Sequence, residues 1–335
     1  MLEHPDVDDA KIIDCLTENY GLKVVDLSFL PIGNDVNSGA FRVRADSTDT
    51  HYYLKLRRGP FDQASVAVPA FLADGGSTHV IPPLPTRGHE LQAHLRPFTL
   101  VLYPFVEGRN AFQIPLTPSL WTELGVALKG LHSTVLPAAV QALLPRESFS
   151  VPSLRVVTHL LARIERETFQ EPTAATLAEF IKSKRDVIRL IVRRAESLAH
   201  VLGMDDETFV PCHGDIHAAN VLVDGHGGLF LVDWDTLVLA PKERDLMFIG
   251  AGVGGAWNQR EEAILFYQGY GQAPVDHRAL DYYRSERIVE DIAAYGEEIL
   301  LTDAGGQDRG RGFKKFRAQF EPGNVVDAAL TGNTS

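Results

Sequence analysis

Three oxygen-bearing side chains have the types and spacing that phosphoryl transfer requires. Asp215 and Asn220 stand five residues apart in Cys212-His213-Gly214-Asp215-Ile216-His217-Ala218-Ala219-Asn220, and Asp233 follows thirteen residues later in Leu231-Val232-Asp233-Trp234-Asp235. Transfer from ATP asks for an Asp that takes or orients the proton of the acceptor hydroxyl. It also asks for an Asn and a second Asp whose oxygens hold magnesium on the phosphates. Apolar residues flank both clusters, so the polar residues belong on short loops beside buried strands. A single loop Asp is far more often a turn or cap residue, and the joint offsets are what lift these three above that background. Asp235, with one residue between it and Asp233, either projects toward a substrate or supports the metal site.

Other residues fit around that set. Lys55, in the apolar strand Tyr52-Tyr53-Leu54-Lys55-Leu56, would reach the α- and β-phosphates of a bound nucleotide, although a lone strand lysine is more often an exposed edge charge. One hairpin earlier, Pro31-Ile32-Gly33-Asn34-Asp35-Val36-Asn37-Ser38-Gly39 is a turn whose backbone, at Gly33, Asn34 and Gly39, allows close approach to a ligand; it lacks the full G-x-G-x-x-G spacing. In Leu100-Val101-Leu102-Tyr103-Pro104-Phe105-Val106, the Pro104 carbonyl and the Val106 amide are placed to face adenine. His213 and His217 suggest a two-metal phosphoesterase, but the upstream Asp-x-His and downstream Gly-Asn-His of that chemistry are missing, so both are read as local structural histidines. Asp245, in Arg244-Asp245, is expected to accept hydrogen bonds that brace the Asp215 loop. Only about ten residues separate Asp233 from that pair, with no Ala-Pro-Glu motif after it. There is no room for the segment with which protein kinases hold a peptide, and a small-molecule acceptor follows.

The elements that must position these residues fall into two parts. Amphipathic spacing predicts a helix over 8–20, closed by Gly21. β-type runs follow at 24–30, 40–44 and 52–56, then a helix within 60–71 weakened by Pro69, and a buried strand at 99–105. Residues 106–110 read as a linker, so the boundary falls near 107: a nucleotide-binding lobe over 1–107 ending in the hinge, and a helical lobe over 108–335 carrying the catalytic loop, metal site and substrate site. In the second part Thr117-Pro118 caps a helix, and helical patterns run over 152–168, 173–202, 258–269 and 276–301. The tail from Ala304 has one weak helical stretch and is expected to fray after residue 330.

With 335 residues, 45% hydrophobic and 23% charged, the chain has the composition of a soluble globular protein long enough for two cores. Two cysteines, Cys15 and Cys212, give no disulfide framework, the N-terminus is no signal peptide, and no apolar run spans a bilayer, so the expectation is a cytoplasmic protein without a membrane partner. A net charge of −12 disfavours nucleic acid as a partner and suits a cationic small substrate.

His213-Gly214-Asp215-Ile216-His217-Ala218-Ala219-Asn220 and Leu231-Val232-Asp233-Trp234-Asp235 resemble the two signature segments of the aminoglycoside phosphotransferase family. That family has the protein-kinase-like fold and includes choline and homoserine kinases of the same type. Leu239–Gly254 and Arg287-Ile288-Val289-Glu290-Asp291-Ile292-Ala293-Ala294-Tyr295-Gly296 resemble its spectinomycin 9-phosphotransferase branch. The resemblance implies an α+β, bilobal fold with a small N-terminal β-rich lobe and a larger helical C-terminal lobe. It implies ATP and Mg²⁺ as cofactors, Asp215 as catalytic base, Asn220 and Asp233 as magnesium ligands and Lys55 as a phosphate ligand. It also implies spectinomycin, an aminocyclitol with two secondary amines, as acceptor. By position, Asp235, Glu290 and Asp291 would face its ammonium groups, with Trp257 and Tyr295 as walls, in a monomer or weak homodimer.

One departure stands out. The family's small-lobe helix carries a Glu that pairs with the phosphate-binding lysine. Gln63 stands there in this chain, no Glu lies between Lys55 and Glu90, and Asp62 is the nearby substitute. A kinase of another small alcohol (choline-, homoserine- or sugar-like) is the alternative within enzymes. A nucleotide-binding pseudokinase that serves as an interaction module is the alternative outside them.

Overall fold

The structure, a computed structural model, describes residues 4–33, 37–45, 50–203, 209–301 and 306–331. It divides into two compact units: Met1–Ile114 with Val135–Leu144 and Ala219–Leu237, and Pro115–Thr134 with Pro145–Ala218 and Val238–Ser335. The first is built on β-sheet and the second mostly on helices.

In the first unit, α1 (Asp9–Tyr20) starts where the Asp8 carboxylate accepts a hydrogen bond from the Ala10 amide, and ends at Gly21 with φ +71°. The strands β1 (Val24–Leu30), β2 (Ser38–Ala45), β3 (Thr50–Arg58), β4 (Ala93–Leu95) and β5 (Phe98–Pro104) form an antiparallel sheet in the order β1-β2-β3-β5-β4. Period-two alternation sorts its residues. Leu54, Leu56, Leu100 and Leu102 are fully or almost fully buried in one core with Ile12 and Leu16 of α1. At about 1.5–3 kcal/mol for each such side chain, this core fixes the strand register. The intervening residues Tyr53, Lys55 and Arg57 pair with Tyr103, Val101 and Thr99, and so share the other face.

Between β3 and β4 lies α2 (Ala64–Asp74), with Pro69 buried inside it. Pro69 has no N–H for the carbonyl four residues back, and burial of Val66, Val68 and Leu72 offsets that loss. Residues 106–110, expected as a linker, are partly strand: β6 (Gly108–Asn110) pairs with β8 (Val221–Asp224), which pairs with β9 (Leu229–Leu231). Gly108 is needed there, since a Cβ would lie 2.6 Å from the Val223 carbonyl oxygen. The short helix α4 (Ala138–Gln141) also belongs to this unit.

In the second unit, Thr117 accepts from the Leu120 amide and Pro118 opens α3 (Pro118–His132), as the sequence predicts. α3 packs against α8 (Arg260–Tyr270) at very short range. A Cβ on Gly125 would meet the Phe266 carbonyl oxygen at 2.1 Å, and one on Gly269 would meet that of Thr122 at 1.8 Å. α5 (Ser153–Arg166) and α6 (Pro172–Leu202) pack against α9 (His277–Leu300). A two-stranded antiparallel pair, β7 (Phe209–Cys212) with β10 (Val238–Pro241), leads into α7 (Glu243–Leu246). The tail forms two helices rather than one, α10 (Gly306–Ala318) and α11 (Val325–Thr331), both against α9. The fraying expected beyond 330 concerns residues 332–335, outside the described residues.

Candidate active site

Strand β7 delivers the chain to a turn that is held from beneath. The Asp245 carboxylate accepts from the His213 amide at 2.8 Å and from the Gly214 amide at 2.7 Å, with Gly214 at φ +85°. The same carboxylate is 2.9 Å from Nε2 of His132 on α3, whose Nδ1 is 2.7 Å from the Tyr270 hydroxyl on α8. Asp245 is fully buried. Burial alone raises a carboxyl pKa, but the hydrogen bond to His132, the neighbouring imidazoles and the Gly214 amide hold this one below the ordinary value. The brace expected of Asp245 is thus present, and α3 and α8 anchor it. His213 is also buried and accepts at Nδ1 from the Asp215 amide at 3.4 Å, a local structural role as expected. The Cys212 thiol beneath the turn donates to the Ala240 and Pro241 carbonyls.

Above this brace sits Asp215, its side chain 24% exposed. Arg287 of α9 donates to its Oδ1 at 2.7 Å, and His217 Nε2 is 3.4 Å from its Oδ2. Burial works against the charge of Asp215, but the His217 contact and the Arg287 guanidinium outweigh it and hold the carboxyl well below the usual carboxylate range. Arg287 is in turn 3.3 Å from Asp291, one helical turn on, and Asp291 accepts from Gln319, just after α10, at 2.8 Å. Glu290 lies in the same group, its pKa raised by burial against the opposing charges of Arg244 and Arg287. The sequence reading placed Glu290 and Asp291 here and gave Arg287 no role. The signal was available, because Arg287, Glu290 and Asp291 recur at i, i+3 and i+4 on one helix face.

The first unit gathers the remaining polar residues. Lys55 Nζ lies 2.8 Å from Asp233 Oδ1 and 2.7 Å from Asp235 Oδ2. Arg57 donates to Asp235 at 3.2 Å and to the Ser38 hydroxyl at 3.3 Å. Burial disfavours the Lys55 ammonium, and the two carboxylates more than offset it, so its pKa is raised and the group stays charged. Asp233 occupies the left-handed region at φ +67°, a strained position for a residue with a side chain. The Asn220 carbonyl accepts from the Val232 amide at 3.0 Å, which sets the segments bearing Asn220 and Asp233 side by side. An amide oxygen and a carboxylate are the hard donors that magnesium takes, so these two residues fit the ion.

A cavity of about 210 Å³ opens over this face, lined by Lys55, Arg57, Phe61, Asp62, Ser65, Val101, Tyr103 and Asp235 among others. Gln63, where a glutamate was expected, is exposed at the start of α2, and the Asp62 carboxylate caps the Ala64 amide at 2.9 Å. Gly33, Gly39, Pro104 and Val106 do not line the cavity among the described residues. Gly33 turns at φ +87°. Gly39 lies in β2, where a Cβ would meet Pro5 Cγ at 2.3 Å. Pro104 lines a second cavity with Phe105, His51 and Arg42. Asn34 is outside the described residues. In the helical unit Trp257 is 6% exposed with its ring 5.3 Å from that of Trp121, so it serves the core there; the Tyr295 ring packs on Phe316 at 5.6 Å.

With this geometry in view, comparison with known proteins gives the class. The model of the phosphotransferase enzyme family matches residues 28–283. The chain belongs to that family: it is an ATP-dependent phosphotransferase with the kinase-like fold, an N-terminal β-sheet part followed by a helical one. Among individual proteins, it is similar to the spectinomycin phosphotransferase APH(9)-Ia crystallised with ADP and spectinomycin, at 36% identity and TM-score 0.90 over 98% of each chain. Protein StrN of Streptomyces griseus is 26% identical over 281 residues, 80% of this chain and 85% of its own length. Amicoumacin kinase, 14% identical over 98% of this chain and 96% of its own with TM-score 0.66, shares the fold alone. Among the described residues no helix is long and apolar enough to cross a membrane.

Proposed function

We propose that this enzyme transfers the γ-phosphoryl group of ATP to a hydroxyl of spectinomycin or a similar cationic aminocyclitol, and so inactivates the antibiotic. The observation that carries the reading is Asp215: an ionised carboxylate, held by Arg287 and His217 on a turn braced by Asp245, in a chain 36% identical to a spectinomycin phosphotransferase. Asp215 orients the acceptor hydroxyl and takes its proton as the phosphoryl group arrives. A carboxylate of such low basicity acts chiefly by orienting the nucleophile, with the proton leaving late.

Lys55 holds the nucleotide phosphates, and a bound nucleotide would exchange its phosphates for one of the two carboxylates that the lysine now meets. Asn220 and Asp233 would hold magnesium, which supplies charge neutralisation on the phosphates. Asp235 keeps Lys55 in place when Asp233 turns to the metal. Glu290 and Asp291 supply negative charge for the ammonium groups of the acceptor, worth about 1.5–3 kcal/mol per charge-assisted hydrogen bond.

The test is an acceptor screen: purified protein with magnesium–ATP, following ADP release with spectinomycin, choline, ethanolamine, homoserine and simple sugars. The reading expects the highest kcat/KM with spectinomycin. Turnover confined to an amino alcohol or a sugar would replace it with a metabolic kinase, and tight ATP binding without turnover on any acceptor would replace it with the pseudokinase.

A further inference from the structure

We infer that Arg287 is the positioning residue for Asp215: its guanidinium fixes one carboxylate oxygen so that the other is presented to the acceptor hydroxyl. The inference rests on the reading of Asp215 given above. Its ground is the asymmetry of the two contacts. Arg287 Nη1 meets Oδ1 at 2.7 Å, a short charge-assisted bond, whereas His217 Nε2 meets Oδ2 at 3.4 Å, a longer contact that leaves that oxygen the less tightly held of the two.

The two ends of the pair also differ in rigidity. Asp215 is on a turn, while Arg287 projects from the 24-residue helix α9 and is itself steadied by Asp291 at 3.3 Å and by the Phe248 ring, 5.8 Å from its guanidinium carbon. A rigid helix thereby sets the orientation of a turn carboxylate, as preorganised catalysis requires. The cation is also costly for a site that takes a cationic substrate. Placed among Asp215, Glu290 and Asp291, it cancels part of the field that would attract ammonium groups. What it provides in exchange is the orientation and ionisation of Asp215.

The charged and titratable groups around the pair are His213 and His217 on the turn, Glu290, Asp291 and Tyr295 on α9, and Arg244, which faces Glu290; Gln319, just after α10, holds Asp291. With Arg287 removed, His217 still favours the charged form of Asp215, while burial and these carboxylates make it harder to ionise.

The test compares wild type, Arg287→Met, Arg287→Lys and Asp215→Asn by kcat, KM for each substrate, and the pH dependence of kcat from pH 5 to 9. The melting temperature of each variant is measured alongside. The pH profiles are repeated in a His217→Gln background to remove the titration of that imidazole. Arg287→Met is expected to lower kcat about 10²-fold with the acceptor KM unchanged or lower, and to raise the acid limb of Asp215, which lies below pH 5 in wild type, into the measured range. Arg287→Lys keeps the charge without the fork. It should therefore leave the acid limb in place while lowering kcat about tenfold. A folded Arg287→Met with wild-type kcat and acid limb overturns the inference. If Arg287→Met does not fold, Arg287→Lys decides, and wild-type kcat there overturns it. Asp215→Asn with wild-type turnover would instead remove the reading of Asp215 itself; loss of turnover in that variant alongside unaffected Arg287 variants would remove only the role of Arg287.

Discussion

Lys55 Nζ lies 2.7 Å from Asp235 Oδ2, a contact that joins residues 180 positions apart. It accounts for the departure from the family pattern at Gln63. The carboxylate two residues beyond Asp233 meets the lysine where the family pattern has a helix glutamate, with Arg57 closing the group at 3.2 Å. Asp235→Asn should therefore raise KM for ATP about tenfold and leave the acceptor KM unchanged, since a largely buried, charge-assisted contact of this kind is worth about 1.5 kcal/mol. Steady-state kinetics with each substrate varied in turn checks it. A rise confined to the acceptor KM would make Asp235 a substrate ligand instead.

The buried chain Tyr270–His132–Asp245 should matter to both folding and rate. His132→Ala leaves a cavity and removes one partner of a fully buried carboxylate, for an expected loss of roughly 3–5 kcal/mol in denaturant unfolding. Asp245→Asn keeps the shape but weakens the two bonds to the His213 and Gly214 amides. It should lower kcat more than it changes either KM. Equal effects on kcat and on the KM values would argue against a brace for the Asp215 turn.

Glu286 predicts a pH dependence of stability. It is buried on α9, where burial pushes its carboxyl from the ordinary 4.5 up to about 7, although Arg244 donates to it at 2.6 Å and Tyr282 at 2.9 Å. Desolvation wins over the ion pair. The folded-state value is the higher one, so the stabilising contribution is fully present below about pH 4.5 and is lost as pH rises through about 7. From one end of that window to the other, wild type should lose roughly 3 kcal/mol relative to Glu286→Gln. Urea unfolding of both proteins at pH 5, 6, 7 and 8 measures the difference, and parallel curves would contradict it.

The close approach of α3 and α8 gives a prediction about the fold alone. Gly269→Ala puts a methyl group 1.8 Å from a backbone oxygen, which a side-chain rotation cannot relieve. The helices must move apart, and a cost above about 2 kcal/mol is expected, seen as a lower melting temperature. A glycine-to-alanine change in a free helix would instead stabilise by about 1 kcal/mol. A raised melting temperature would therefore show that the helices are not packed this closely.

The long periodic elements were legible in the sequence. Ile12 and Leu16 announce α1, Thr117-Pro118 announces α3, and alternation through Tyr53, Leu54, Lys55 and Leu56 announces β3 with its two faces. β6 was not legible, because three residues are too few to show a period and Gly108 reads as linker composition. α2 was blurred by Pro69, whose cost is met by burial that only tertiary structure reveals. In the site, Asp245 could be read as a brace from its distance to Asp233. His132 could not, since its partner is 113 positions away and nothing local marks it; Arg287 is marked only by its helical spacing to Glu290 and Asp291, which does not point to Asp215, 72 positions away. Asp235 was read toward the substrate, and its contacts with Lys55 and Arg57 depend on how strand and loop meet in space.

The central claim is that Asp215 directs the phosphoryl group of ATP onto an aminocyclitol hydroxyl. Phosphorus NMR of the product formed from magnesium–ATP and spectinomycin, by wild type and by Asp215→Ala, tests it most directly. The account predicts one spectinomycin phosphomonoester from wild type and product formation at least about 10²-fold slower from the variant. Equal rates from the two proteins, or ATP consumed by wild type with no phosphorus on spectinomycin, would contradict it.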